Sequence, residues 1–275
     1  MSVAADPAPP RSPARAGLTA FGALVARDLH VVRHERGQFL LRTLSQPLLL
    51  VFVFTYVFPL IGQGIDVPGE AGFTDVLVPG VLAIAVLAKG IQVVALPLVQ
   101  EFGYTGEIED RVMAPVPVWG VALAKIASAS LQGLLAAAIV LPVAMVVPAE
   151  PVDITISWPM LIVVAVFAPV LSAAAGMVMG TTVQPEQVPL MFSIVILPVT
   201  FLGATYFPWA ALEPIPWLQW AVLLNPLVYI AEGFRLALTP QLPAMEPWAV
   251  LAGLAALTVA LGWVGVRGFT RRVLS

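Results

Sequence analysis

Six long apolar stretches dominate the chain. They run from about Leu44 to Ile61, Val76 to Val99, Val121 to Val147, Trp158 to Val183, Val188 to Tyr206 and Trp248 to Val266. A helix needs roughly 20 mostly apolar residues to cross hydrocarbon, and each stretch meets that length within a few residues. Spanning strands would alternate polar and apolar positions over about ten residues, whereas these runs are continuous and about twice as long. The pattern predicts an all-α membrane protein with six transmembrane helices.

Two further segments are patterned without being long enough to span. Between Leu18 and Leu41, the apolar residues Leu18, Phe21, Val25, Leu29 and Val32 recur at helical spacing, with Arg27, His30 and His34 on the other side. Such a stripe describes an amphipathic helix lying in the membrane interface, or a helix packed on the protein's own cytosolic surface. Between the fifth and sixth stretches, FPWAALEPIPWLQWAVLLNPLVYIAEGFRLALTP is apolar and Trp-rich, and Pro208, Pro214, Pro216 and Pro226 break it into short pieces. Trp and Tyr favour headgroup level. The segment therefore reads as a re-entrant pair of half-membrane helices in the outer leaflet, which is tolerated where protein buries the backbone. The Pro- and Ala-rich residues 1–17 lack an apolar signal core and read as a disordered cytosolic tail. The division is thus a tail (1–17), an interfacial helix (18–41) and a six-helix domain (42–275).

Composition agrees. Of 275 residues, 60% are hydrophobic and 11% charged, against about 25% charged in soluble domains. Too little polar surface remains to wrap a globule in water, so most of the exterior faces lipid. Arg11, Arg15, Arg27, Arg33, Arg36 and Arg42 precede the first stretch. Arg111 and Lys125 flank the connection between the second and third, and Arg267, Arg271 and Arg272 follow the sixth. Six crossings put all of these on one side. The other side receives only Arg235, together with the acidic residues Asp66, Glu70, Asp75, Glu150 and Asp153. Because basic loops stay in the cytoplasm, both termini are expected inside, in a bacterial inner membrane.

Little in the chain suggests catalysis. It has no cysteine and two histidines, His30 and His34, whose shared helical face reads as a solvated basic surface rather than a metal site. No GxxxxGK[ST] loop is present; the nearest string, GMVMGTT at 176–182, lacks the lysine and sits in an apolar run. Any ATPase must be another polypeptide, and no catalytic or metal-binding residues are assigned. A membrane-embedded lipid-modifying enzyme would need clustered polar groups, but Glu150, Asp153, Glu213 and Arg235 are scattered. An ion-coupled transporter would place acids within its spanning helices, and no Asp or Glu is central in any of the six.

Some residues do stand out. Glu101, Glu107, Glu109, Asp110 and Arg111 crowd one cytosolic loop, either as a docking element for a partner or as an ordinary solvated loop. Lys89 lies inside the second stretch, where a central lysine costs about 2.5–3.5 kcal/mol. It either faces a cavity or a substrate headgroup, or it snorkels to water from a tilted helix. Pro142, Pro169, Pro189 and Pro198 kink helices. Gly176 and Gly180 have the GxxxG spacing of close helix approach, read here as packing within the bundle.

Two segments carry a family resemblance. The cytosolic EFGYTGEIEDRVMAPVPVWGVALAKI is similar to the acidic loop, Ala-Pro turn and helix-opening lysine of the ABC-2 type permease family. The outer FLGATYFPWAALEPIPWLQWAVLLNPLVYIAEGFR resembles that family's run of small residues, Phe-Pro, Leu-Pro-like turn, Trp-Leu, Asn-Pro and Tyr, particularly in the daunorubicin-resistance and nodulation-exporter branch. The resemblance implies a permease that pairs with a second, identical or sister permease and with cytosolic nucleotide-binding ATPase subunits. It implies that ATP and Mg are held by those partners and not by this chain. It implies outward movement of a lipophilic drug, a lipid or a lipid-linked glycan, with membrane lipids and no nucleic acid as further partners. Arg27, Arg33, Glu101, Glu107, Glu109, Asp110 and Arg111 would then couple to the ATPase. The substrate path would run along helices two and five past Lys89, Gln92, Thr200 and Phe201. Tyr206, Phe207, Pro208, Trp217, Asn225 and Pro226 would form an outer re-entrant gate.

Overall fold

A computed structural model of the chain describes residues 13–61, 72–105, 117–148 and 152–274. Its elements are α1 (Pro13–His34), α2 (Arg36–Leu60), α3 (Phe73–Gly103), α4 (Val118–Val146), α5 (Trp158–Thr182), α6 (188–201), α7 (Pro216–Leu224), α8 (Pro226–Leu238) and α9 (Pro247–Leu274). No strand occurs among the described residues. The all-α membrane class holds.

Five of these helices, α2, α3, α4, α5 and α9, are long and apolar enough to cross a bilayer. The fifth predicted span differs from expectation. Residues 188–201 are helical, but the chain leaves the helix at Leu202 rather than continuing to Tyr206. At about 1.5 Å per residue α6 is shorter than the hydrocarbon core, and a π-helical turn at Phe192–Ile196 interrupts it. It nonetheless joins the two ends of the bundle: Pro185, just before it, meets Gly103, and Val199 near its far end accepts a bond from Asn225.

The expected helix over 18–41 is divided at Glu35, and its last residues run straight into the first span, which starts at Arg36 instead of Leu44. On α1 the apolar stripe Phe21, Val25, Leu29 and Val32 is half-buried, while Arg27, His30 and His34 are exposed. Asp28 reaches α4, accepting a bond from the Ser128 hydroxyl at 2.9 Å. The helix is therefore fastened to the bundle along at least one edge.

The second span, α3, is the centre of the fold. Val76 to Leu87 are almost wholly buried against α4, α5 and α8. Such burial on every side is why the α3 run is apolar around its whole circumference. Small residues bring α3 and α5 together: Gly176 faces the Gly90 carbonyl and the Ile91 backbone, and Gly180 faces Ala95 and Leu98. The GxxxG pair thus packs within the bundle. By contrast α9 lies at the periphery, touching α5 through Gly265 and Gly268 and exposing Trp248, Val259 and Trp263. In lipid rather than water that exposure needs no cover.

The outer segment folds as a re-entrant pair. Helices α7 and α8 meet at Asn225 with a 98° bend, which Pro226 starts in the position a helix tolerates best. The Asn225 side chain caps α8 by accepting from the Leu227 N–H at 2.9 Å, and its amide donates to Val199 of α6 at 2.7 Å. The outward end of α8 is tied to the loop before α5, where Thr155 and Ser157 donate to the Leu238 and Ala237 carbonyls.

Candidate functional site

Three places in the bundle hold polar side chains that apolar packing does not explain. The first is at the outer end. Arg235, the one basic residue the sequence places on the outer side, lies inside α8 and is completely buried, as is Glu232 one turn before it. The two form an ion pair. Glu232 also accepts the backbone N–H groups of Trp209 and Met245, each at 2.8 Å, so one carboxylate gathers the segment before α7, the segment before α9 and α8 itself. On its other side Arg235 donates to the Ala204 carbonyl at 2.9 Å, with the Val76 carbonyl of α3 at 3.5 Å. Ala204 has φ 54°, a left-handed conformation that costs a non-glycine residue about 1–2 kcal/mol. Next to it, Thr205 presses so closely on α3 that a Cβ at Gly80 would lie 2.2 Å from the Thr205 carbonyl. Gly203 is tight as well, since a Cβ there would stand 2.4 Å from the Leu227 side chain of α8.

The predicted gate residues collect around this centre. Tyr206 packs against Phe54 of α2 and Phe201 of α6, with ring centroids at 5.9 and 6.0 Å. Pro208 opens a short 3₁₀ turn at Trp209–Leu212, whose indole donates to the Gln219 carbonyl of α7 at 3.0 Å. Trp217 is exposed at the rim, and Asn225 and Pro226 form the bend.

The second place is at the opposite end of α3. Glu101 accepts two bonds from the Lys125 ammonium of α4, at 2.8 and 2.7 Å, and both residues are buried. This pair stands where the chain leaves α3 for the acidic loop. Of the predicted coupling residues, Arg27 and Arg33 lie on α1 and Glu101 in this pair, while Glu107, Glu109, Asp110 and Arg111 fall outside the described residues. Arg272 of α9 belongs to the same end. It donates to the Thr181 carbonyl at 3.0 Å and stacks over Phe102 at 4.6 Å, so α5, α9 and the foot of α3 are bound together.

The third place is a cavity of about 420 Å³ between α1–α2 and α3–α4, lined among others by Arg27, Arg42, Lys89, Gln92, Glu101 and Gln132. A second cavity of about 340 Å³ lies between α2, α3 and α6. Its walls are mostly apolar, including Ile84, Leu87, Ile91, Ile196 and Leu197, with Thr200 among its polar members. Gln92 borders both. Both volumes fall in the range of ligand pockets. Of the predicted path residues, Lys89 and Gln92 share the first cavity and Gln92 and Thr200 the second. Phe201 lines neither; it is exposed and stacked on Tyr206. The Lys89 ammonium sits 3.8 Å from the centre of the Phe39 ring, a cation–π contact.

Sequence reasoning missed Glu232 and the Lys125 partnership. A signal for the first was present: opposite charges three residues apart in an apolar segment are neighbours on a helix, and a lone intramembrane acid calls for such a partner. The members of the Glu101–Lys125 pair are 24 positions apart in the sequence, and nothing in the local pattern connects them.

A search of curated proteins finds no match. The sequence model of one family, described as ABC-2 type transporter, matches residues 19–239, from α1 to the end of α8. That range contains the α3–α5 core, both buried ion pairs and the re-entrant hairpin, and the chain belongs to the ABC-2 type transporter family as its multi-pass membrane permease component.

Proposed function

We propose that the chain is the permease of an ATP-driven exporter in a bacterial cytoplasmic membrane, with both termini inside. Family membership implies an ATPase subunit as partner. In this reading the partner binds and hydrolyses ATP with Mg, a second permease completes the transporter, and a lipophilic drug, lipid or lipid-linked glycan is moved outward. Supporting the orientation, α1, Arg272 and the Glu101–Lys125 pair share one end of the bundle, whereas Asp75, Asp153 and the Glu232–Arg235 pair share the other.

The observation that carries the coupling is the Glu101–Lys125 pair at the foot of the acidic loop. A force applied by the ATPase to residues 101–116 or to α1 meets a rigid junction. Glu101 links α3 to α4, and Asp28 links α1 to α4 one turn further along. Displacement of the loop is then passed to α3, which lines both cavities. Helices α2 and α6, each carrying a π-helical turn, face α3 across the apolar cavity, and π-turns are sites where helices yield.

The test is co-reconstitution with a partner ATPase subunit, following nucleotide-dependent appearance of substrate on the outer face. Glu101→Gln keeps the shape but loses the charge. It is expected to lower transport about tenfold, a typical coupling energy, while hydrolysis by the complex falls much less. Equal losses in transport and hydrolysis would show that the pair merely stabilises the fold. Movement of substrate by the purified chain along an ion gradient, without nucleotide, would end the exporter reading.

A further inference from the structure

The two cavities meet at Gln92 and differ sharply in chemistry. Along α3 the polar cavity is bordered by Lys89, Gln92, Val93, Leu96, Pro97 and Glu101, towards the end that carries the Glu101–Lys125 pair. The apolar cavity is bordered by Ile84, Leu87, Ala88, Ile91 and Gln92, towards the end that carries Arg235. Lys89 is 9% exposed and opens into the polar cavity. Among the described residues it has no carboxylate partner; it touches the Phe39 ring, and Arg42, lining the same cavity, is close enough for its charge to act on it. The carboxylates that line the cavity do not neutralise this pair. Glu101 is held by Lys125 and Asp28 is bonded to Ser128, both on α4, and Glu35 is exposed at the break between α1 and α2. A buried lysine beside an arginine, with like charges facing one space, is costly unless an anion joins them. Arginine and lysine are also the side chains that bind phosphate best.

We propose that this compound cavity binds an anionic amphiphile, a phosphate-type headgroup between Lys89 and Arg42 with its hydrocarbon chain in the groove between α2, α3 and α6. The proposal rests on the exporter reading for its purpose but not for its site. Lys89 stands near the middle of α3 (Phe73–Gly103), with the polar cavity running from it to the Glu101 end and the apolar groove from it towards the Arg235 end. The head would enter through the polar cavity and the chain would lie in the groove. Gln92, at the junction, supplies an amide that can donate to an ester oxygen. Gln46, Ser193 and Thr200 also border the groove, the Thr200 hydroxyl donating to the Ile196 carbonyl at 2.8 Å, while Ile84, Leu87, Ala88, Ile91, Ile196 and Leu197 give it its mostly apolar wall.

The full-length chain in phosphatidylcholine nanodiscs is titrated with dodecyl phosphate, inorganic phosphate and dodecyltrimethylammonium, with occupancy read by native mass spectrometry. Dodecyl phosphate is expected to bind at least about tenfold more tightly than either of the others, the scale of charged hydrogen bonds. Lys89→Gln and Arg42→Gln should each weaken it about tenfold, and Lys89→Arg should restore it. Ile84→Trp, which fills the groove, should weaken dodecyl phosphate and leave inorganic phosphate unaffected. Equal binding of the cationic and anionic amphiphiles, or full affinity in Lys89→Gln, overturns the proposal. ATP-driven export together with equal binding of the cationic and anionic amphiphiles would remove this site and leave the exporter reading standing. Charge-selective binding without ATP-driven export would do the reverse.

Discussion

Arg235→Met destabilises the folded chain by about 3–5 kcal/mol, the cost of stranding one member of a buried ion pair. Methionine fills most of the arginine's volume, so the loss is electrostatic rather than a cavity. Glu232 keeps the Trp209 and Met245 N–H groups but faces an apolar wall with its charge uncompensated, and the Ala204 carbonyl loses its donor. That carbonyl belongs to the residue at positive φ, so the strained turn beneath α8 relaxes at the same time. The apparent melting midpoint in detergent, followed by tryptophan fluorescence, should fall by about 10 °C. Pairing the change with Glu232→Gln is the control: the double variant removes both charges, keeps one acceptor for a backbone N–H, and should be less destabilised than Arg235→Met alone. A double variant as unstable as the sum of its parts would mean that the two side chains act independently.

That centre also marks where sequence reasoning ends. Continuous apolar runs fix helix existence well, because lipid demands length and apolarity wherever a helix crosses; α3, α4, α5 and α9 follow those runs closely. Proline and asparagine similarly announced the re-entrant bend at Asn225–Pro226, since Pro begins a helix readily and Asn caps one. The run after Phe201 was harder. Leu202 to Tyr206 continues the apolar run, but the chain there turns beneath α8, where Arg235, 31 residues beyond Ala204, holds the Ala204 carbonyl. Long-range hydrogen bonds leave no trace in local hydropathy. The start of the first span was obscured for a different reason: Arg36 to Arg42 are polar enough to resemble an interfacial face, and helix continuity through them depends on tertiary contacts with α3 and α4. For the candidate site, a charged residue in an apolar run singled out Lys89, whereas its neighbour Phe39 came from the segment read as an interfacial helix and Arg42 from the polar flank of the first span.

Gly176→Leu is the second large effect, and it separates α3 from α5. A Cβ at this position would already stand 2.8 Å from the Gly90 carbonyl and 2.9 Å from the Ile91 Cα. Both obstacles are backbone, which cannot swing aside like a side chain, so the helices must part along the α3–α5 seam. Overpacking of this kind costs about 1–3 kcal/mol, occasionally more, and a branched side chain against backbone belongs at the upper end. Gly90→Leu meets the same seam from the other side, with Ser172 Cβ at 2.5 Å, and the double variant should cost less than the sum because one separation accommodates both. Gly262→Ala on the peripheral α9 is the contrast, since nothing lies within 4 Å of a Cβ there. It should be neutral or gain up to about 1 kcal/mol from helix propensity. The seam also carries function, because Gly90 lies between Lys89 and Ile91, one in each cavity wall. Moving α3 outward by even a fraction of an ångström narrows the space facing α2, so dodecyl phosphate binding should weaken in Gly176→Leu even where the protein stays folded, and Gly262→Ala should bind as the parent does. A Gly176→Leu protein with parental stability would mean that α3 and α5 are not held as closely as their glycines indicate.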